Sequence, residues 1–355
     1  MTAAAIGSID EATSQWLSEV LGADVALRAA ERVGSGQMGS CFRLGLATRG
    51  GSLPDTMLLK LPAEDPAARA LVAGAYRTEA RFYTDLAPTL RVRAPIAYFV
   101  SEVTDDGRFA LLLEDAAPAV QGDQIRGCTP EQARAAAVNL AGLHAPRWCD
   151  PALFDLGWIT ASGPEDIATL AELYAPTVET FLTSVGPLLD AETVATLRES
   201  TDRIEAWALA RSECFAPVHG DYRLDNLLFS PDDPAGVIAV DWQTLSIGLP
   251  ARDLAYLLGT GLAATDRRDH ERAIVERYRA ELVALGVRGY DARQAWTDYR
   301  LAMLQGPLVA VFGCAYGART ERGDRMFAAM VERSCAAIRA LSTFELTEAE
   351  SRSAG

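Results

Sequence analysis

Val218-His219-Gly220-Asp221-Tyr222-Arg223-Leu224-Asp225-Asn226, with Val237-Ile238-Ala239-Val240-Asp241 shortly after it, decides how the rest of the chain is read. Leu227 to Phe229 has the composition of a short strand. Ser230 to Gly236 is a turn rich in Pro, Asp and Gly, and Val237 to Val240 is a second strand. A hairpin of this kind is antiparallel, so Asn226 before its first strand and Asp241 after its second are expected at one open end. Asp221 sits in the loop just ahead of them. Asn and Asp side chains gathered there offer the hard oxygen donors that suit Mg²⁺. Taken one at a time, each is also an ordinary polar end of a β-turn-β. Their meaning therefore depends on what stands upstream.

At 355 residues the chain is long enough to bury a large core and to form two lobes, and 49% apolar residues place it among folded proteins. A formal charge of −15 argues against nucleic acid and against anionic membrane surfaces, and it leans toward a cationic substrate. Of the 33 basic residues only Lys60 is a lysine. Such an Arg and Ala bias suggests a GC-rich bacterial coding sequence, and it makes the one lysine worth explaining. The six cysteines show neither C-x-x-C nor zinc spacing and read as thiols of a cytoplasmic protein. Residues 1–20 lack a signal-peptide pattern, and the apolar run Leu301 to Tyr316 is too short and interrupted to span a bilayer.

In chain order, Ile9 to Gly22 has helical spacing with glycine as its stop. Strands are expected at Val25 to Val33, Cys41 to Thr48 and Thr56 to Leu61. Between the first two lies Gly34-Ser35-Gly36-Gln37-Met38-Gly39, a G-x-G-x-x-G that joins strand to strand. Such a loop lets backbone N–H groups lie over phosphates with no side chain in the way. Lys60 falls inside the apolar strand Met57 to Leu61. It could be a strand-end lysine reaching for water, but a compact ammonium also suits point contact with two phosphates. A half-buried ammonium needs a partner, and Glu79 in the helical Tyr76 to Tyr83 is the candidate. Ala94 to Val100 and Phe109 to Leu113 read as further strands, the second running into Glu114-Asp115-Ala116 at a change from strand to loop to helix.

Beyond that point the chain is helical. Thr129-Pro130-Glu131-Gln132 is a capping box that starts a helix to about His144. Later helices are expected near 165–186, 190–213, 251–263, 266–285, 291–316 and 324–341. Residues 345–355 read as a disordered polar tail. The expected division is a β-rich nucleotide-binding lobe at 1–115, a helical catalytic and substrate lobe at 116–344, and the tail.

The ordered set of glycine loop, Lys60, Glu79, His-Gly-Asp-x-x-x-x-Asn and strand-end Asp241 resembles the aminoglycoside phosphotransferase and choline kinase-like (ecdysteroid kinase-like) family of small-molecule kinases. The resemblance runs from Gly34 to Asp253. It implies an α+β, protein-kinase-like bilobal fold, with an antiparallel sheet and one main helix in the N-terminal lobe and a short catalytic hairpin in a helical C-terminal lobe. It implies ATP and Mg²⁺ as cofactors and a small-molecule hydroxyl as acceptor. Carried over by position, Asp221 accepts or orients the hydroxyl proton, and Asn226 and Asp241 hold Mg²⁺. Lys60, paired with Glu79, meets the α- and β-phosphates under Gly34, Ser35, Gly36, Gln37, Met38 and Gly39. Leu113, Glu114, Asp115 and Ala116 form the hinge that meets adenine. Arg223 stands where many protein kinases have a lysine near the γ-phosphate. His219 and His144 are structural, and Asp253 accepts hydrogen bonds from the catalytic loop or is simply a first-turn acid of its helix.

Departures narrow the class. Asp241-Trp242-Gln243 replaces Asp-Phe-Gly, and residues 242–252 leave no room for an activation segment before Asp253. The catalytic-loop Arg is Gly220. All three argue against a protein substrate. Nucleophile-elbow, zinc-protease and P-loop motifs are absent. Aminoglycoside-like, amino-alcohol and hydroxyacyl-CoA acceptors stay open. The alternative is an inactive nucleotide-binding or regulatory module, although Lys60, Glu79, Asp221, Asn226 and Asp241 all carry competent residues.

Overall fold

Alternation along a strand sends successive side chains to opposite faces, and this organises the first part of the protein. The computed structural model describes residues 5–34, 39–49, 53–317 and 319–354. By its internal contacts the chain divides into two units, one of Met1–Thr89, Ala94–Ala117 and Val240–Thr244, the other of Leu90–Arg93, Pro118–Ala239 and Leu245–Gly355. The short exchanged segments are what a boundary at 115/116 does not capture.

In the first unit, helix α1 (Ser14–Leu21) is capped by Thr13, whose side chain accepts from the Trp16 N–H, and ends at Gly22 in the left-handed region. Strands β1 (Val25–Val33), β2 (Gly39–Thr48) and β3 (Thr56–Pro62) follow. Next come α2 (Pro66–Leu71) and α3 (Ala73–Arg81), which runs on through a π-helical turn at Phe82–Leu86. Strands β4 (Ala97–Val100) and β5 (Leu111–Glu114) complete a five-stranded antiparallel sheet in the order β1-β2-β3-β5-β4. Leu44, Leu46, Met57, Leu59 and Leu61 point from one face into a core shared with Trp16 and Leu17 of α1. Within β3, Leu58 and Lys60 therefore belong to the opposite face.

The second unit begins with β6 (Val120–Gln121) and α4 (Pro130–His144). The capping box read at Thr129 and Gln132 forms on both sides. Helices α5 (Pro164–Ser184), α6 (Ala191–Ser200) and α7 (Ile204–Leu209) lead to β7 (Ala216–Val218). The hairpin β8 (Leu227–Phe229) and β9 (Val237–Ala239) has the expected antiparallel register, Leu227 opposite Ala239, with β6 along its other edge. Strand β10 (Ser246–Gly248) pairs with β7. The remainder is helical: α8 (Ala251–Gly261), α9 (Ala264–Ala284), α10 (Ala292–Leu301), α11 (Gln305–Tyr316), α12 (Glu321–Leu341) and α13 (Thr343–Ala354).

Three expectations change. The segment 190–213 is two helices joined by a 3₁₀ turn at Thr201–Arg203, not one helix. The span 291–316 is likewise interrupted at Ala302–Leu304, because Pro307 has no N–H to give the carbonyl four residues back and its ring crowds that turn. The tail expected to be disordered from 345 is helix α13, tied down by Thr343 and Thr347, which are buried, and by the Thr343 hydroxyl on the Arg300 carbonyl at 2.9 Å.

Candidate active site

The first unit holds one cluster of predicted residues. Lys60 Nζ lies 2.7 Å from Glu79 Oε2 and 3.2 Å from Asp241 Oδ1, with the lysine side chain only 12% exposed and the glutamate 1%. Gln243, in the position a glycine would hold in Asp-Phe-Gly, donates to Glu79 Oε2 at 3.2 Å. Burial opposes the charge on Lys60, but Asp241 and Glu79 more than offset it and hold the ammonium above its usual range. For Glu79 burial prevails and pushes the carboxyl up, against the pull of Lys60. Asp241 has a left-handed backbone (φ 67°), rare for a residue with a side chain. The next residue accounts for how that turn is held: the buried Trp242 ring stacks on Phe82 of the π-helical turn, centroids 3.7 Å apart and nearly parallel. Asp241 and Glu79 are thus both anchored to the α3 side of the unit.

Gly34 has φ 74°, which a side chain would strain, and a Cβ on Gly39 would sit 2.6 Å from the Leu61 carbonyl. Ser35, Gly36, Gln37 and Met38 lie outside the described residues. At the predicted hinge, Leu113 pairs with Leu58 and Ala97, and the Glu114 N–H bonds the Ile96 carbonyl at 2.8 Å. Arg43 grips Asp115 with two hydrogen bonds of 2.8 and 3.1 Å. Burial would raise the Asp115 carboxyl, but Arg43 and the Ala117 N–H outweigh it and hold it low. The Asp115 side chain is therefore held in a structural contact.

The second unit holds the cluster around residues 218–226. Gly220 takes φ 80°, and this turn aims the N–H groups of His219 and Gly220 at Asp253, at 2.6 and 3.0 Å. His144 Nε2 lies 3.3 Å from the same carboxylate and its Nδ1 2.7 Å from Tyr278 Oη, all buried. Asp253 is thus the loop's acceptor rather than a mere first-turn acid, and His144 is structural as read. Asp221 is held from three sides. Tyr256 donates to Oδ1 at 2.8 Å, and Arg223 Nε and Asn226 Nδ2 reach Oδ2 at 3.0 and 2.8 Å. Asn226 also donates to the Asp221 carbonyl, so its amide nitrogen is committed and its oxygen is the atom suited to a hard cation. Among the described residues no group of three or more His, Cys, Asp or Glu side chains is assembled for a metal. Of the two residues read as metal ligands, Asp241 belongs to the first unit and Asn226 to the second, and a carboxylate and an amide oxygen are each donor types that suit Mg²⁺.

Two neighbours of this loop escaped sequence reading. Tyr256 lies one turn beyond Asp253 on α8, and that i, i+3 spacing was the available signal. Arg322, in the first turn of α12, reaches Asp225 at 3.2 Å and carries no local signal at all. Two aromatic residues of the helical unit are packing groups: Tyr299 is core, bonded to Glu271 at 2.8 Å, and Trp148 packs on Tyr290.

The profile of the phosphotransferase enzyme family matches residues 30–300. The chain belongs to that family. Its fold is that of the gentamicin complex of APH(2")-IIa (TM-score 0.53, 14% identity, 93% of this chain and 97% of that one). It is equally that of choline kinase from Cryptosporidium parvum (0.54, 9%, 90% and 91%). Plasmodium vivax ethanolamine kinase is similar too (0.52, 11%, 86% and 81%). A stretch of 58 residues is 38% identical to acyl-CoA dehydrogenase family member 10 of Mus musculus, covering 16% of this chain and only 5% of that protein. For family member 11 of Homo sapiens the figures are 44% over 39 residues, 11% and 5%. Among the described residues of this phosphotransferase, no helix is long and apolar enough to cross a membrane.

Proposed function

We propose that this phosphotransferase is an ATP- and Mg²⁺-dependent kinase of a small-molecule hydroxyl. The observation that carries the reading is the only lysine of the chain, buried against Glu79 and Asp241 at 2.7 and 3.2 Å. A buried ammonium fixed by two carboxylates has no obvious structural economy over an aliphatic side chain, whereas it is what two phosphate groups require.

In this reading the acceptor oxygen attacks the γ-phosphorus, ADP leaves, and the hydroxyl proton passes toward Asp221. The three donors on Asp221 fix its orientation, so that it positions the hydroxyl as much as it accepts the proton. Lys60 contacts the α- and β-phosphates, with the glycine loop at residues 34–39 over them and backbone groups of Leu113 to Ala116 on adenine. Asn226 and Asp241 are the proposed holders of Mg²⁺, which would supply charge neutralisation between the phosphates. Arg223, whose charge is reinforced by Asp221 and Asp225 despite burial, would steady charge on the transferred group once it leaves Asp221.

The test is ATP binding by calorimetry, with and without Mg²⁺, on the wild type and on Asp241→Ala. Binding that needs Mg²⁺ and weakens in the variant is the expected result. A wild type that binds neither ATP nor GTP under either condition defeats the reading.

A further inference from the structure

The acceptor site has its own charge pattern, and it runs against the charge of the whole chain. From Asp221 a line of contacts leads outward: Arg223 Nε to Asp221 at 3.0 Å, Arg223 Nη1 to Asp225 Oδ2 at 3.2 Å, and Arg322 Nη1 to the same oxygen at 3.2 Å. The second Asp225 oxygen takes the Gln124 N–H at 2.9 Å and Arg322 Nη2 at 3.4 Å. Nearby, N–H groups of Arg126 and Ile125 hold the Asp123 carboxyl low, helped through space by Arg322 and Arg126. Asp225 and Asp123 are therefore both already compensated. A polycationic acceptor needs surplus anions, and here it would have to displace Arg223 or Arg322 to find one.

Arg322 is not an incidental surface charge. Met326, its i+4 neighbour on α12, lies with its sulfur 3.1 Å from Arg223 Nη1, so this face of the helix is seated on the catalytic loop. Asp225 is nearly buried, yet the Arg322 side chain is 54% exposed. A guanidinium held on one edge and open on another is suited to a planar or tetrahedral anion.

We propose that the acceptor carries a carboxylate or phosphate group, and that Arg322 binds this group while Asp221 receives the hydroxyl. This rests on the phosphotransferase reading and adds the acceptor's chemical class. Two guanidinium groups in contact range of the loop thus select against the cationic acceptors that a charge of −15 would suggest.

The experiment is calorimetry on the full chain with MgADP present. The probes are D-glycerate, glycerol 3-phosphate and 3-hydroxybutyryl-CoA against kanamycin and choline. The first two anions separate carboxylate from phosphate recognition. At least one anionic probe should bind and kanamycin should not. Arg322→Glu should weaken that probe tenfold or more, and Arg322→Lys should restore part of the loss. Arg325→Glu, the same charge change one turn along at a residue 60% exposed, should leave it unaltered. Binding of kanamycin or choline with no anionic probe, or of none of the five, overturns the proposal. So does an equal loss in the Arg322 and Arg325 variants, which would mean only a general field. ATP titrated into the same samples reports separately on the phosphotransferase reading.

Discussion

Lys60 and Glu79 depend on each other more than either depends on solvent. With the glutamate 1% exposed, Lys60→Met leaves a buried carboxylate without its ammonium, a change that costs about 3–5 kcal/mol. Burial already pushes the Glu79 carboxyl up, so in the variant the folded state binds a proton more readily than the unfolded chain does. Stability must then rise as pH falls through the folded-state value and toward the ordinary carboxylate range near about 4.3. Thermal melts from pH 8 to pH 5 should show the variant's deficit shrinking; a constant deficit would mean the pair is not what holds the site. Tyr256→Phe keeps the buried ring and removes the donor on Asp221. A hydrogen bond to a charged group is worth about 1.5 kcal/mol or more, so kcat should drop about tenfold with the ATP KM little changed. Steady-state kinetics decide it, and an unaltered kcat would make the tyrosine merely structural. Lys60 was legible in the sequence because it is alone and Glu79 because it stands in the helical run Tyr76 to Tyr83 that follows. Tyr256 and Arg322 were not, because hydrogen bonds made by tertiary packing leave no local pattern.

Helix α11 lies so close to α12 that a Cβ on Gly306 would come 2.5 Å from the Ser334 Cβ. Gly306→Ala should therefore cost about 1–3 kcal/mol by overpacking. Adding Ser334→Gly should recover part of that, and a double-mutant cycle in urea gives the coupling. Additive costs would place the strain elsewhere. At the same scale, the β8–β9 hairpin was readable because turn residues and a short apolar run on each side specify it. The interruptions near 201–203 and 302–304 were less so, since a helical period carries across a 3₁₀ turn with little change. The π-helical turn after α3 left no mark in the pattern either, although it presents Phe82 to Trp242 and so fixes the turn that carries Asp241.

The chain as a whole was read correctly as an antiparallel sheet followed by a mostly helical remainder, because strand periods dominate up to about residue 115 and helical periods after it. Its end was misread because α13 buries threonines rather than aliphatic residues, and Arg203 reaches Glu348 at 3.1 Å. Polar side chains at buried positions look like a tail. Ending the chain after Ser342 should thus lower stability by roughly 1–3 kcal/mol, seen as a reduced melting temperature; an unchanged one would show that α13 adds nothing. The net charge sums the whole chain and says little of the loop itself, where Arg223 and Arg322 stand against Asp221 and Asp225. Finally, a protein with one lysine carries one side-chain amine, and here it lies against two carboxylates in the proposed phosphate site. An acyl phosphate of ATP, which transfers its acyl group to a nearby amine, would write a single side-chain mark on this molecule, distinct from any at the α-amine. Peptide mapping would then read occupancy of the nucleotide site directly, with no background from the surface.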